Sequence, residues 1–105
     1  MINCNCIVQA NQFSADTEMA LRDKLTAFAE HAFGEPADIT WRVIPKNSGF
    51  TAARPSVSSI ILVSANRPLP QSERAMLLEQ MCTLWASETQ QSLNEVVGVI
   101  SDPQA

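Results

Sequence analysis

The sequence predicts an α/β domain of the α+β type, in which tandem β-α-β units form a four-stranded sheet with two helices on one face. The predicted elements follow the order strand, helix, strand, then a loop, then strand, helix, strand. The two halves, about residues 2–44 and 57–101, match at a constant offset that pairs Leu21 with Leu78. Because 105 residues suit one domain, we assign residues 1–105 to a single domain with an internal repeat.

The first half contains a strand, a helix and a second strand. Residues 2–9 alternate, so that Ile2 and the apolar residues at every second position share one face. Ser14 is a plausible helix N-cap, and Gly34 is placed to end the helix. Residues 39–44 alternate again and predict a strand. The helix between them presents one apolar stripe, made of Leu21, Leu25, Phe28, Ala29 and Ala32.

The second half repeats this order after a loop. Residues 45–56 are rich in Pro, Gly and Ser and predict a loop. Residues 57–65 predict a strand whose centre is apolar on both faces, as in a strand covered on both sides. A helix starts near Pro70, and residues 95–100 form the last strand. The stripe of this helix consists of Leu77, Leu78, Met81, Leu84 and Trp85.

The predicted arrangement leaves one face of the sheet without a cover. Both helices lie on the same face, and the sequence contains no third helix. The strand at 57–65 nevertheless offers apolar side chains to both faces. We therefore expect the chain to self-associate through the uncovered face.

Charge and hydropathy exclude several classes of partner. The formal charge is -4, which argues against binding to nucleic acid or to an anionic membrane surface. No apolar run approaches the roughly 20 residues of a membrane helix. The start of the sequence lacks a basic segment followed by an apolar one, so no signal peptide is predicted and we expect a cytoplasmic protein.

The cysteines do not predict a metal site. Cys4 and Cys6 form a C-x-C pair, Cys82 lies far along the chain, and His31 is the one histidine. Tetrahedral zinc takes four ligands, so we expect neither a metal nor a cofactor. The cysteines are expected to act as small apolar side chains, since a nucleophilic thiolate would require a nearby cation that the sequence does not reveal.

Three segments resemble a known family. They are PADITWRVI at 36–44, SGFT at 48–51, and NRP at 66–68 leading into SERAMLL at 72–78. Together with the order of elements over 2–103, they resemble the tautomerase superfamily, which includes 4-oxalocrotonate tautomerase, macrophage migration inhibitory factor and the chloroacrylic acid dehalogenases. The resemblance implies the macrophage migration inhibitory factor-like fold and, for tandem forms, a homotrimer.

The family's catalytic group is an N-terminal proline, and this sequence has Met1 followed by Ile2. A bulky second residue normally prevents removal of the initiator methionine, so the resemblance implies a member without the catalytic proline. Asn3 or Cys4 could occupy the place of the proline on the strand, although neither supplies a terminal amine. The α-amine of Met1 remains as a candidate base, because such amines ionise close to neutral pH.

The resemblance also suggests a substrate-binding set. Arg67 resembles the carboxylate-binding arginine of the dehalogenase-type members, Arg42 the arginine on the second strand of 4-oxalocrotonate tautomerase, and Phe50 its pocket phenylalanine. Guanidinium binds carboxylate through two parallel hydrogen bonds, which suits this role. The alternatives are a solvated loop arginine for Arg67 and an intersubunit ion pair for Arg42. His31 resembles a histidine of one dehalogenase group, but it also suits the negative end of a helix dipole.

Two functions remain open from the sequence. The first is an isomerase with an arginine-lined pocket for a small 2-keto or enol carboxylate and weak keto–enol tautomerase activity. The second is a non-catalytic trimeric binding or interaction protein that has lost the catalytic proline. The retained arginines favour the first function, and the missing proline favours the second.

Overall fold

Two β-α-β units build the structure, a computed structural model that describes residues 1–104. The first unit consists of β1 (Ile2–Gln9), α1 (Ala15–Phe33) and β2 (Ala37–Ile44). A short hairpin follows, made of β3 (Phe50–Thr51) and β4 (Arg54–Pro55). The second unit consists of β5 (Ser59–Ser64), α2 (Gln71–Thr89) and β6 (Val96–Ser101), with a 3-10 turn at Leu93–Glu95.

The main sheet has four strands in the order β2-β1-β5-β6. Within each unit the strands are parallel, with Ile2 opposite Ala37 and Ser59 opposite Val96. The units join through β1 and β5, which run antiparallel. The predicted fold class, with two tandem β-α-β units in a four-stranded sheet, is confirmed.

The helix ends follow the predicted capping. The Ser14 side chain accepts a hydrogen bond from the Thr17 amide over 3.1 Å at the start of α1, and Gly34 ends the helix with a φ of 72°. This left-handed conformation favours glycine, because a side chain would be strained there. At the start of α2, Pro70 is the residue before the helix, and Gln90 ends it with a φ of 63°. No helix in residues 1–104 combines the length and apolar character needed to cross a membrane.

Both helices pack on one face of the sheet and form the core there. From β1 the core takes alternate residues, and α1 and α2 contribute their apolar stripes. Trp85 is fully buried at the centre of this layer, stacked on Trp41 with ring centroids 5.8 Å apart and met edge-on by Phe13 at 6.1 Å. The strand residues of the core are Ile2, Cys4, Cys6, Val8, Ile61, Val63, Val96 and Ile100.

The opposite face of the sheet, termed the open face, carries no helix. Its apolar side chains are half-buried or exposed, and Val97 and Val99 expose 46% and 42% of their surface. An apolar strip across adjacent strands is unusual for a surface that stays in water. The open face is formed by Ile7, Ile44, Ile60, Leu62, Val97 and Val99.

The region predicted as a loop at 45–56 contains the β3-β4 hairpin. Phe50 pairs with Pro55 and Thr51 with Arg54. The turn uses Ala52 and Ala53, both with positive φ, at 51° and 62°. Two-residue hairpin turns of this kind usually carry Asn or Gly. The two alanines therefore gave no indication of a hairpin in the sequence. The following strand begins at residue 59, two residues later than predicted.

The hairpin folds back over one end of the open face. The Gln9 side chain donates to the carbonyl of Ser56 over 2.6 Å and accepts from the Asn47 amide over 3.1 Å. Gln9 is consequently only 4% exposed, although it continues the open face of β1. Gly49 passes so close that a Cβ there would lie 2.6 Å from Gln9 Nε2. The buried amide thus anchors the hairpin to the sheet.

Replacing Gly98 by alanine should reduce the free energy of unfolding by about 1–3 kcal/mol, because the new Cβ overpacks the contact between β6 and α2. That Cβ would lie 2.8 Å from Cys82 Sγ and 3.1 Å from Met81 Cε. Chemical denaturation measures the change, and Thr83→Ala on the exposed side of α2 is the control. Equal stability of the Gly98→Ala and control variants would show that α2 does not pack this closely against β6.

Candidate functional site

The α-amine of Met1 lies in an ion-paired corner at the start of β1. It donates to Glu35 Oε1 over 2.9 Å, while Asn66 Nδ2 donates to Glu35 Oε2 over 2.7 Å. The Asn66 amide also donates to the carbonyl of Phe33 over 2.8 Å. The hydrogen bond from Asn66, and then the hydrogen bond from the terminal amine, hold the pKa of Glu35 below its ordinary value. Glu35 is therefore ionised beside the amine at neutral pH.

The register of the sheet brings these groups together. Because β1 and β2 are parallel, both begin at the same edge, and the antiparallel β5 ends there. Continuing the β1-β5 register from Cys4 opposite Val63 places Met1 opposite Asn66. The end of α1 lies at the same edge, since Ile2 donates its amide to the carbonyl of Pro36 over 2.9 Å.

Arg67 is the next residue after Asn66 in the sequence, and it forms a bidentate ion pair with Glu73. Its Nη2 and Nη1 atoms donate to the two Glu73 oxygens over 2.5 and 3.2 Å. Nη2 also donates to the carbonyl of Ala32 over 3.4 Å, which places Arg67 against the last turn of α1. The hydrogen bond between them raises the pKa of Arg67 and lowers the pKa of Glu73. A carboxylate ligand of Arg67 must therefore compete with Glu73 for the guanidinium.

These groups define the N-terminal corner: Met1, Glu35, Asn66, Arg67 and Glu73. The corner combines a terminal amine, a guanidinium and two carboxylates within contact of residues 32–35. It is open to solvent, with the Arg67 side chain 42% exposed. Chemically it offers a base and a carboxylate-binding cation in one protomer.

Arg42 lies at the other end of the strands. It is opposite Ile7 in the β1-β2 register, five residues beyond Ala37, which corresponds to roughly 16 Å of strand. Its side chain is exposed on the side of the open face. One protomer therefore does not bring Arg42 and Arg67 into a common pocket.

Phe50 lies at the same end of the sheet as Arg42, away from the N-terminal corner. It is 62% exposed on β3 and lines a cavity of about 140 Å³ between the hairpin and the open face. Ile7, Ile60 and Val97 form the floor of this cavity. Phe50 and Arg42 thus lie at the same end of the sheet, opposite the N-terminal corner.

The other sequence candidates carry less chemistry. His31 is exposed in the last turn of α1, where a cation complements the helix dipole. Burial, and then the charge of Asp38, raises the pKa of Cys4 to about 11. Burial, and then the neighbouring Cys4, raises the pKa of the Cys6 thiol to about 12. Both thiols are therefore neutral at physiological pH and unsuited to nucleophilic attack. Across residues 1–104, no group of three His, Cys, Asp or Glu side chains could hold a metal ion.

Sequence reasoning missed the two carboxylates of the corner. Glu35 and Glu73 are ordinary acidic residues beside helix ends, and their partners lie 34 and 6 positions away. Arg67 and Glu73 lie six positions apart, on either side of the start of α2, and this short spacing could have indicated their ion pair from sequence. The pairing of Met1 with Glu35 depends on the strand register, which no local pattern reveals.

Comparison with protein-family models and with curated proteins gives no match. Solved structures do match along nearly the whole chain. Native Ps01740 superimposes with a TM-score of 0.87 at 21% identity, covering 98% of this chain and 95% of its own. A fused 4-OT that forms a symmetric trimer gives a TM-score of 0.84 at 12% identity, covering 96% of this chain and 85% of its own. N1, a member of the cis-3-chloroacrylic acid dehalogenase family, gives a TM-score of 0.84 at 16% identity, covering 96% of this chain and 74% of its own.

At these identities the similarity concerns the fold. It extends to the tandem arrangement of two β-α-β units, since the fused 4-OT matches over 96% of this chain. The resemblance to the tautomerase superfamily stated from sequence agrees with these structural neighbours. The chain therefore has the fold of the tautomerase superfamily.

Proposed function

We propose that the protein is a weak keto–enol tautomerase, an isomerase that acts on a small 2-keto or enol carboxylate. The observation that supports this most is the N-terminal corner, in which the Met1 amine contacts Glu35 just beyond α1 and the Arg67 guanidinium contacts Ala32 in the last turn of α1. The fold neighbours add support, because they include fused 4-OT and a protein, Pt0534, inactivated by 2-oxo-3-pentynoate, itself a small 2-keto carboxylate.

The roles follow from the chemistry of the groups. Arg67 binds the substrate carboxylate. The Met1 ammonium first releases its proton to solvent, and the free amine then takes the proton of the enol hydroxyl as the carbonyl forms. The resulting ammonium returns a proton to the adjacent carbon, so the reaction is balanced and consumes no co-reactant. Glu35 holds the amine in place through the 2.9 Å contact. A primary amine on Met1 here takes the role that an N-terminal proline has in the superfamily.

We further propose that the protein acts as a homotrimer in the cytoplasm. The apolar open face supplies the surface for self-association, and neighbours such as the fused 4-OT structures are trimers. In such an assembly Arg42 and Phe50 could serve the substrate-binding site of an adjacent copy. The three unpaired cysteines are compatible with a reducing compartment.

The test of this function is the ketonisation of phenylenolpyruvate by untagged protein. Arg67→Ala should lower kcat/KM by about 10- to 100-fold, because a charge-assisted hydrogen-bonded pair contributes about 1.5–3 kcal/mol. Arg54→Ala, on the exposed hairpin, is the matched control and should retain the wild-type value. Turnover that is equal in the two variants would contradict the role of Arg67.

Removing the competing charge should have the opposite effect. Glu73→Gln should lower KM for the enol carboxylate, because the guanidinium no longer has to leave an ionised partner to bind the ligand. Steady-state kinetics at neutral pH measure the change, and Glu79→Gln, exposed on the same helix, is the control. A higher KM in Glu73→Gln would mean that Glu73 positions Arg67 for binding instead of competing for it.

A further inference from the structure

A second cavity lies at the hairpin end of the sheet, away from the N-terminal corner. It has a volume of about 330 Å³, within the range of small-molecule sites. Unlike the cavity lined by Phe50, it is lined mostly by residues with polar side chains. The residues with polar side chains that line it are Gln9, Asn47, Thr51, Ser56, Ser58, Asn94 and Glu95.

The cavity occupies the place in the second unit that the N-terminal corner occupies in the first. Ser58 precedes β5 as Met1 precedes β1, and Glu95 precedes β6 as Pro36 precedes β2. The β1-β5 register reinforces this correspondence, since its continuation places Gln9 opposite Ser58. The two sites thus share a backbone setting but differ in their side chains.

The chemistry of the second site excludes the ligand proposed for the first. No lysine or arginine lines the cavity, and its one charged side chain is the carboxylate of Glu95. An anion would therefore be repelled. An apolar ligand would leave the Thr51 hydroxyl and the Asn94 amide without water or partners, which is unfavourable.

Part of the wall is held rigidly. Gln9, 4% exposed, uses its amide to join the Ser56 carbonyl and the Asn47 backbone amide. Glu95 accepts two hydrogen bonds from Ser92, both at Oε1. This leaves Glu95 Oε2 as an acceptor for a ligand hydroxyl, beside donors and acceptors from Asn94 and Ser58.

We propose that this cavity binds an uncharged, polyhydroxylated molecule of monosaccharide size. The hydroxyl, amide and carboxylate groups that line it can pair with the donors and acceptors of ligand hydroxyls. This site is separate from the N-terminal corner and does not depend on the proposed tautomerase activity.

Titration of the full-length protein with D-glucose, followed by backbone amide chemical shifts, tests the proposal. Saturable shifts should occur at residues lining the cavity, and Asn94→Ala and Glu95→Gln should each weaken binding by at least about tenfold, as expected for loss of one hydrogen bond in a polar site. Glutamine can still accept the Ser92 hydrogen bonds, so Glu95→Gln should fold normally. Asn3→Ala, exposed at the opposite end of β1, is the control and should bind as the wild type does.

Three outcomes would overturn the proposal. They are the absence of saturable shifts with D-glucose, shifts that persist unchanged in both cavity variants, and preferential binding of pyruvate or methylamine to the same residues. Pyruvate binding would indicate an anion site, and methylamine binding would indicate that Glu95 recognises a cation.

Discussion

Replacing Trp85 by alanine is expected to lower the free energy of unfolding by about 3–5 kcal/mol, the largest stability effect in the chain. Trp85 is fully buried, stacked on Trp41 and contacted by Phe13. Its Nε1 atom donates to Gln91 Oε1 over 3.0 Å, and that oxygen also accepts from Ser59 over 3.1 Å. Alanine would therefore leave a cavity and remove one hydrogen bond in the same place.

Urea denaturation followed by far-UV circular dichroism measures this loss. Trp85→Phe retains an aromatic ring without the indole N–H and should fall between wild type and Trp85→Ala. Val43→Ala, 57% exposed on β2, is the control and should change the free energy by about 0.5 kcal/mol or less. A loss below about 1 kcal/mol for Trp85→Ala would contradict a core centred on this side chain.

The second large effect is expected on the oligomeric state of the protein. Leu62 lies on the open face of the central strand β5, between Val99 on β6 and Asn5 on β1. Leu62→Asp should convert the proposed trimer to monomers, because an unpaired carboxylate buried between copies is strongly unfavourable. Each protomer should still fold, since Leu62 is only half-buried within it.

Sedimentation velocity at micromolar protein concentration separates the two states. Met19→Asp places the same charge on α1, where the side chain is 64% exposed, and should leave the assembly intact. A wild-type protein that sediments as a monomer would contradict the proposed trimer. A trimer that survives Leu62→Asp would mean that the open face is not the interface.

Local patterns predicted most of the fold. Ser14 and Gly34 marked both ends of α1, and the alternation in residues 2–9 identified β1 together with its buried face. The hairpin was missed because Ala52 and Ala53 adopt positive φ without the usual Asn or Gly. Its conformation is imposed by tertiary contacts, notably the Gln9 amide.

The candidate site was less predictable than the fold. Arg67, Arg42, Phe50 and the Met1 amine were chosen from sequence, but the strand register places Arg67 and Met1 at one end of the sheet and Arg42 and Phe50 at the other. That register is a long-range property, set by the pairing of β1 with β2 and β5. The ion pair from Arg67 to Glu73 also depends on side-chain packing at the start of α2.

The proposed role of the terminal amine is tested most directly by phenylenolpyruvate ketonisation with protein acetylated at Met1. Acetylation converts the amine to an amide that cannot accept a proton, and it also removes the ion pair with Glu35. Glu35→Gln removes the charge of the ion pair but keeps a side-chain oxygen that can accept a hydrogen bond from the amine, and it serves as the control. We expect untagged protein and Glu35→Gln to turn over the enol and acetylated protein to show only the buffer rate. Undiminished turnover after acetylation would contradict the role of the Met1 amine, and no turnover by untagged protein would contradict the tautomerase function itself.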